Sequence, residues 1–577
     1  MKLLGLSDEA FGALKRIQDR RVTSSASSSS TEPSASTDLP SSPEASMLTI
    51  EQRLHQLRLA LAAPEEHCIC QEKKEPRRRT SEPEPEVSVT LSSSSESSRT
   101  SSDSNQTGRK MLYAVLFAVL LLEGTDLIVL PALASSLKTD LNFSTDELAR
   151  LAGIQALCLA VASPIWAALA DGAAANRKTL LALGIFLQGV FTCLFATSTS
   201  QVPGMLFGGL NAIAQAALRP VSFGLMLEVA CHHRGSAFGL LLAALHIGVG
   251  MGFFGPWLAT NNILGVEGWR LPVLFVGTVS IFLAFVVAMV LHEPTREPPA
   301  VDEESGIRAE IWRLLRYCRL PSFLLLVIQG CVMCLPWAVM SYRNQFLEVY
   351  GFDEAEIALL RSLGQASAAL GSLFGGVLAD LVSRCLPLHG RPFVAQASSL
   401  LSFPLCILPF LVPPPESWAF IYEASMVCGL SFFASWSVGA CLPMLANLAP
   451  WGRKSGILAW HGALQGGFGC LVALGMDVLA PRIFGHDLGA HPAFTGMHLV
   501  VFEYASLQVP PFLHDPVQRA HLEKTIVTAM SVSWVLSFSC YSLLHWSYPG
   551  DVLRVQLLRS EEAEKACTFR SHRARAI

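Results

Sequence analysis

Apolar segments of about 20 residues recur along the chain from Met111 onward, and short polar stretches separate them. A helix of this length crosses the roughly 30 Å hydrocarbon layer of a bilayer, so the pattern predicts about twelve membrane-spanning helices, half of them on either side of a charged linker. The predicted spans cover residues 111–134, 149–170, 178–198, 203–230, 236–260 and 271–292, then 321–342, 356–379, 392–413, 417–447, 455–481 and 525–548.

The polar segments outside these spans set the predicted domain organisation. Residues 1–110 are rich in Ser, Glu, Pro and Thr, and this composition buries too little apolar surface to fold, so we predict a disordered tail. Two six-helix bundles follow at 111–292 and 321–548, joined by a linker at 293–320. A C-terminal tail occupies 549–577. The predicted fold class is an all-α integral membrane protein.

The composition agrees with a membrane protein, because 51% of the residues are hydrophobic and only 15% are charged. A net charge of -4 creates no basic field that would attract nucleic acid, and the cysteines lack the spacing of a metal site. The chain contains no nucleophile elbow or phosphate loop, so we predict no enzyme, cofactor or metal. The expected partners are the bilayer, a small-molecule or lipid substrate, and protons.

Basic residues in short loops predict the orientation, because such loops prefer the cytoplasmic side. With both termini in the cytoplasm, Arg177, Arg384 and Arg391 all lie inside. Asn142, in the sequon Asn-Phe-Ser, then lies on the opposite side and is a candidate for glycosylation. The pattern assigns no particular organelle.

One short pattern returns at corresponding places in the two halves. PIWAALADGAAANRK at 164–178 and FGGVLADLVSRCLPLHGR at 374–391 each end a span with an Asp that a basic turn follows. Such duplication is typical of transporters built from repeats. These turns are candidates for a conformational latch that joins helices in one state, and simple helix-end charges are the alternative. The candidate latch residues are Asp171, Arg177, Lys178, Asp380, Arg384 and Arg391.

Ionisable side chains in the middle of spans are costly in hydrocarbon and indicate function. Glu123 and Arg219 both lie roughly 16–18 Å from the inner ends of their spans, so they can pair. His246 falls in the same layer, and Asp126 lies nearly one turn further out. These four are candidates for proton coupling or for a cavity wall. A permanent ion pair is the alternative for Glu123 and Arg219, and an interhelical hydrogen bond is the favoured interpretation of His246.

The second half offers polar and aromatic side chains rather than charges in the middle of its spans. They are candidates for the opposite wall of a substrate cavity, although aromatic residues also serve as ordinary packing elements. Glu423 lies nearer an outer helix end, where we expect it to meet water. The candidate cavity residues are Gln329, Trp337, Trp436, His461 and Gln465.

Several segments together resemble the major facilitator superfamily, and within it the spinster-like branch of plants and protists. They include LLEGTDLIVLPA at 121–132, GWRLP at 268–272 and LPWAVMSY at 335–342, and the likeness covers roughly residues 111–555. The resemblance implies two six-helix bundles around a central cavity, alternating access and no catalytic turnover.

The resemblance also implies that Glu123 occupies the place of an acidic residue associated with proton coupling. The arginine of the family's fourth span would fall at Gly208, so the usual partner of the acidic residue is missing and Arg219 lies three turns away. Animal members of the branch are associated with lysophospholipid and sphingolipid export. We therefore expect a secondary active transporter of such a lipid, with proton coupling through Glu123. The alternatives are a carrier of small organic anions or sugars, or a non-transporting membrane receptor or scaffold.

Overall fold

The computed structural model describes residues 94–172, 176–230, 233–255, 268–293, 307–340, 343–450, 453–484, 492–494, 501–503 and 515–576. Its regular structure is helical apart from one antiparallel two-stranded ribbon. The helices are α1 Ser94–Ala132, α2 Ala134–Asp140, α3 Thr145–Asp171, α4 Arg177–Ala196, α5 Gln201–Gln215, α6 Leu218–Val229, α7 Arg234–Gly252, α8 Arg270–Val290, α9 Ile307–Tyr317, α10 Pro321–Met340, α11 Arg343–Val349, α12 Glu354–Cys385, α13 Gly390–Leu411, α14 Ala419–Ala434, α15 Trp436–Asn447, α16 Lys454–Phe484 and α17 Pro516–Ala576, and the strands are β1 Pro492–Phe494 and β2 Val501–Glu503.

Within the described residues, every predicted span coincides with a helix or with two helices that one short break separates, and residues 256–260 and 341–342 of two spans lie outside them. Within the described residues, 10 helical segments are long and apolar enough to cross a membrane, or 11 if α9 and α10, which are bent by 97°, count as one span. α1 begins at Ser94 and α17 continues to Ala576, so helix extends beyond both predicted boundaries. Residues 1–93, residues 294–306 of the linker and most of the loop at 485–514 lie outside the described residues.

The fourth span is broken between α5 and α6 for a local reason. Pro220 has no amide hydrogen, so the carbonyl of Ala216 receives no helical hydrogen bond from it. At this break the amide of Ala217 bonds to the carbonyl of Ala214 at 3.2 Å, and the carbonyl of Ile213 accepts a hydrogen bond of 2.8 Å from Trp166 Nε1 of α3. Proline is tolerated in the first turn of the new helix. The break places Arg219 in the first turn of α6.

The two halves meet where α7 packs on α12 and where α3 packs on α16. The α7–α12 contact depends on glycines. A Cβ atom on Gly239 would lie 2.4 Å from the carbonyl oxygen of Ser372, and one on Gly235 would lie 2.5 Å from that of Gly376. Only glycine allows the two backbones to approach so closely. Replacing Gly235 or Gly239 by a larger residue would therefore push α7 and α12 apart.

Large apolar side chains are exposed on the outer faces of several helices. In α8, Phe275, Phe282 and Met289 leave more than half of their surface exposed. Lipid chains cover such a face at no cost, whereas water does not. This exposure agrees with helices that span a membrane.

Candidate functional site

Asp171 ends α3 and joins the two halves at one end of the helices, which we call the latch end. Its Oδ2 accepts a hydrogen bond of 2.7 Å from the amide of Gly456, and its Oδ1 accepts a longer one of 3.4 Å from Ser455. These amides belong to the first turn of α16 in the opposite half, where no helical carbonyl is available to them. A carboxylate at this position is also stabilised by the helix dipole.

A buried charge network surrounds Asp171. Arg177, which is 1% exposed, contacts Asp171 Oδ1 at 3.2 Å and Glu228 Oε1 at 2.9 Å. Lys454, the first residue of α16, contacts Glu228 Oε2 at 3.3 Å. Positive and negative charges therefore alternate across the junction between the halves, with α6 supplying Glu228. Lys178 is half-buried beside this network.

Asp380 of α12 makes the corresponding contact in the opposite direction. Its Oδ1 accepts a hydrogen bond of 2.9 Å from the amide of Gly235, and its Oδ2 accepts bonds of 2.8 Å from the amide and the hydroxyl of Ser236. All three donors belong to Gly235 and Ser236, in the first turn of α7 in the first half. Arg391 approaches Asp380 Oδ1 at 3.6 Å, whereas Arg384 is exposed and contacts His233 at 3.1 Å. Each candidate latch Asp thus caps a helix of the other half.

Glu123 and Arg219 form a buried ion pair in the middle of the first half. Glu123 Oε1 lies 2.6 Å from Arg219 Nε, and Glu123 is 1% exposed. Its second oxygen, Oε2, has no hydrogen-bond partner among the described residues. The pair borders a pocket whose other walls include Gly462 and Ala463 of α16, so both halves contribute to it. The contact that we predicted from depth is present; its role stays a prediction.

Asp126 lies in a second pocket of the first half, beside the first one. Its carboxylate accepts hydrogen bonds from Thr192 Oγ1 at 3.0 Å, from Asn211 Nδ2 at 3.1 Å and from Gln215 Nε2 at 3.3 Å. These neutral donors come from α4 and α5. Gln215 and Leu159 line both pockets, so the two cavities are neighbours.

His246 of α7 connects the halves rather than lining either pocket. Its Nδ1 lies 2.8 Å from Oε1 of Gln365 in α12. This contact is the interhelical hydrogen bond that we favoured for it from the sequence. Because the two residues belong to opposite halves, the bond spans the interface.

The five candidate cavity residues of the second half lie apart from both pockets. Gln329 donates to Ser537 Oγ of α17 at 3.1 Å, and Gln465 Nε2 lies 3.3 Å from His461 Nε2. Trp436 packs against Phe374, Phe432 and Phe433 in an aromatic cluster, and Trp337 packs against Met333 and its neighbours. His461 and Gln465 therefore contact each other, and the role of the five side chains as one cavity wall stays a prediction.

Glu423 contradicts the expectation that it would meet water. It is 0% exposed and forms an ion pair with Arg343 of α11, which also donates to the carbonyl of Pro409 at 3.1 Å. Arg343 lies just after the seventh span, and sequence alone did not show that α11 returns it to α14. A buried carboxylate of this kind requires its partner.

A family model described as Major Facilitator Superfamily matches residues 115–474, which is more than half of the chain. This chain belongs to the major facilitator superfamily. It is a multi-pass membrane transporter with that superfamily's fold, as the sequence motifs predicted.

Two solved structures are similar to this superfamily member. Both are bacterial homologues of the human lysosomal transporter Spinster in inward-facing conformations, one unoccupied and one occupied. The first is 17% identical, covers 78% of this chain and 98% of its own, and has a TM-score of 0.48. The second is 16% identical, covers 79% and 98%, and has a TM-score of 0.46. A comparison with curated proteins gave no match.

Sequence reasoning missed the partners that complete these sites. Ser455 and Gly456 are backbone donors, and a sequence shows helix starts without showing which carboxylate caps them. Glu228 and Gln365 carried a usable signal, because each is a polar residue within an apolar span. Asn142 lies at the end opposite the latch, where it is exposed, and its carbonyl accepts a bond from Gln201.

Proposed function

We propose that this transporter is proton-coupled and carries an amphipathic lipid, such as a lysophospholipid or a sphingoid base, by alternating access. The observation that carries the coupling is the buried ion pair of Glu123 and Arg219 beside a pocket to which both halves contribute. Glu123 keeps one oxygen without a hydrogen-bond partner among the described residues, so a proton has an acceptor there. The substrate class follows the resemblance to the spinster-like branch.

The coupling step is a change of charge on Glu123. A proton on its carboxylate removes the counter-charge of Arg219, which remains ionised in a buried site. The free energy of the charged Arg219 then falls if the side chain moves toward water or toward a negative group of the substrate. Deprotonation restores the pair. Binding of the substrate and binding of the proton are therefore coupled, because each changes the charges around the guanidinium of Arg219.

α6 connects this step to the latch end. Arg219 lies in its first turn and Glu228 near its last residue, about 14 Å further along the helix. Glu228 contacts both Arg177 and Lys454 across the halves. A displacement of α6 at Arg219 thus acts on the charge network at Asp171, and the two capped helices separate when the halves rock.

The orientation and domain division belong to the same proposal. The latch end faces the cytoplasm together with both termini, the linker at 293–320 joins bundles at 111–292 and 321–548, and Asn142 faces the lumen or exterior. Asn142→Gln would abolish a glycan-dependent shift in electrophoretic mobility, and a glycan that persists in this variant would contradict the proposed orientation.

The test is uptake into proteoliposomes of tritiated lysophospholipids and sphingoid bases, with pH gradients of either sign. Wild type should show gradient-driven flux, and Glu123→Gln should lose the response to the gradient. The variant Glu123→Gln/Arg219→Gln balances the charge and should be equally insensitive, which separates coupling from misfolding. Asp140→Asn is a matched control, because this carboxylate is exposed and outside both pockets.

Each outcome has a distinct meaning. Flux that ignores both the gradient and the variants would leave a transporter and overturn the coupling role of Glu123. If no lipid is transported while small anions or sugars are, the substrate class is wrong. If the chain carries no substrate and its tail binds signalling partners, the receptor alternative replaces transport.

A further inference from the structure

The pocket around Asp126 is a closed corner of the first half with one polar side and one apolar side. Its cavity volume is about 20 Å³, which is enough for one small polar group, and it lies between α1, α3 and α5. Its polar lining consists of Asp126, Gln155, Asn211 and Gln215. Its larger apolar lining residues are Leu127, Leu130 and Leu159.

The charge of Asp126 has no opposite charge in this pocket. None of the 9 residues that line it is basic, and the side chains that donate hydrogen bonds to the carboxylate are neutral: a hydroxyl from Thr192 and amides from Asn211, Gln215 and Gln188. The nearby Arg219 is engaged by Glu123 at 2.6 Å. A buried carboxylate is stable as an anion only with compensation, so the pocket favours a positively charged group.

Asn211, which lines the same pocket, carries an acceptor that no described residue satisfies. Its Nδ2 donates to Asp126 Oδ2 at 3.1 Å and to Thr192 Oγ1 at 3.0 Å, and these bonds fix which way the amide points. Its Oδ1 is buried, with the residue 4% exposed, and has no hydrogen-bond partner among the described residues. A buried acceptor without a donor is costly. A ligand that carries N–H groups would satisfy it.

From these observations we propose that Asp126 and Asn211 form a subsite for the protonated primary amine of an amphiphilic substrate. The ammonium supplies the charge that Asp126 requires and an N–H for Asn211 Oδ1. The carbon chain next to the amine contacts the leucines of the apolar side. This inference rests on the proposed function, since it names the substrate headgroup. It assigns recognition to Asp126 and leaves proton coupling to Glu123.

The proposal ranks three ligands that share one carbon chain. Sphinganine has a charged amine with N–H donors and should bind best. N,N,N-trimethylsphinganine keeps the charge and loses the donors, so its affinity should fall by about 10-fold. N-acetylsphinganine is neutral and should bind most weakly, with an affinity about 100-fold below that of sphinganine. Competition against tritiated sphinganine, with purified wild-type protein in phosphatidylcholine nanodiscs, measures the ranking without any variant.

Two variants locate the subsite. Asp126→Asn should reduce the preference for sphinganine over N-acetylsphinganine to about threefold or less, and Asn211→Leu should remove the preference for sphinganine over its trimethyl analogue. Asp140→Asn should keep both preferences. Because the readout is a ratio between ligands, a general loss of folded protein leaves it unchanged. The wild-type ranking decides the proposal if a variant does not fold.

The outcomes separate this inference from the proposed function. Equal binding of sphinganine and N-acetylsphinganine by wild type overturns the amine subsite, while lipid uptake driven by a pH gradient still stands. A preference that survives in Asp126→Asn also overturns it, because the charge would then be read elsewhere. Absence of binding for all three ligands, together with absence of lipid uptake, overturns both.

Discussion

Asp171 and Asp380 occupy matching places in the two halves, and each caps a helix of the opposite half. The helix that Asp171 caps begins with Lys454, and the helix that Asp380 caps begins with Arg234. Their partners differ, however. Lys454 contacts the carboxylate of Glu228 at 3.3 Å, whereas Arg234 donates to the neutral amide oxygen of Asn447 at 2.6 Å. The contacts around Asp171 thus alternate in charge, whereas those around Asp380 are chiefly hydrogen bonds, and the role of both as a latch stays a prediction.

The same difference runs through the centres of the halves. α6 and α15 both begin after a break in a span, but the first turn of α6 carries Arg219 while α15 begins with Trp436. Arg219 pairs with Glu123, and Trp436 packs on Phe374 and other aromatic rings. Among the described residues, each half thus has an Asp that caps a helix of the other half, and the first half also has a central buried ion pair. The proposed coupling residue Glu123 therefore belongs to the half that carries the central ion pair.

The largest expected effect comes from breaking the central ion pair. Glu123→Gln removes the counter-charge of a buried guanidinium, and a guanidinium stays charged in proteins. This variant should therefore cost about 3–5 kcal/mol of stability. Arg219→Gln leaves a carboxylate that can become neutral by binding a proton, and should cost less. Trp436→Phe, at the corresponding place in the second half, should cost less than either. Thermal unfolding of the purified proteins in one detergent measures the ranking.

The double variant Glu123→Gln/Arg219→Gln is the control for this prediction. It removes both charges and should recover most of the loss seen with Glu123→Gln alone. If the double variant is as unstable as the sum of the single variants, the two residues do not act as a pair. If Trp436→Phe is the most destabilising change, the second half depends more on its centre than the first does.

Much of this contrast was visible in the sequence. The spans followed from hydropathy, and the Asp turns followed from the repeated pattern at 164–178 and 374–391. The contact of Glu123 with Arg219 followed from their equal depth, because depth in a membrane is set by the number of residues from the helix end. Hydropathy and depth depend only on the residue types and their positions along a span, so both can be predicted from the sequence.

The missing information concerns partners across the fold. Depth does not specify the rotation of a helix, so it did not show that His246 meets Gln365 instead of the ion pair. It also placed Glu423 near water, although Arg343 covers it from a short helix outside the predicted spans. The amides that cap Asp171 and Asp380 are backbone groups, which every residue except proline has. Which of these amides meet each Asp depends on how the two halves pack together.

A second prediction compares the glycines at the two capped helices. A Cβ on Gly235 would lie 2.5 Å from the carbonyl oxygen of Gly376, so Gly235→Ala must push α7 away from α12. This overpacking should cost about 1–3 kcal/mol and slow transport. A Cβ on Gly456 would lie 3.4 Å from Asp171 Oδ2, an ordinary contact, so Gly456→Ala should leave both properties near wild type. Thermal unfolding and initial uptake rates of the two variants, Gly235→Ala and Gly456→Ala, test this prediction.

Gly550→Ala serves as the control, because a Cβ there meets no atom within 4 Å. All three changes add one methyl group to a helix, so differences among them report on the surroundings alone. Equal effects at Gly235 and Gly456 would mean that the two latch contacts are equally tight, which the distances contradict.

The smallest effect should come from replacing each latch carboxylate by its amide. At Asp380 both oxygens accept bonds of 2.8–2.9 Å from N–H or O–H donors, so either orientation of an Asn side chain directs its NH₂ group at a donor. At Asp171 only the bond from Gly456 is short, at 2.7 Å, and the one from Ser455 is 3.4 Å long. An Asn there can place its carbonyl oxygen toward Gly456.

Asp380→Asn should therefore be the more destabilising of the two amide exchanges, by about 1 kcal/mol, which is roughly the net value of one hydrogen bond. The charge network works against this ranking, because Asp171→Asn also weakens the contact with Arg177 at 3.2 Å. Arg177 keeps Glu228 at 2.9 Å, however, so its charge stays compensated. Thermal unfolding of the two variants decides which effect is larger. If Asp171→Asn proves the more harmful, the first latch depends on its charge more than on its caps, and protonation near the latch end would release it directly.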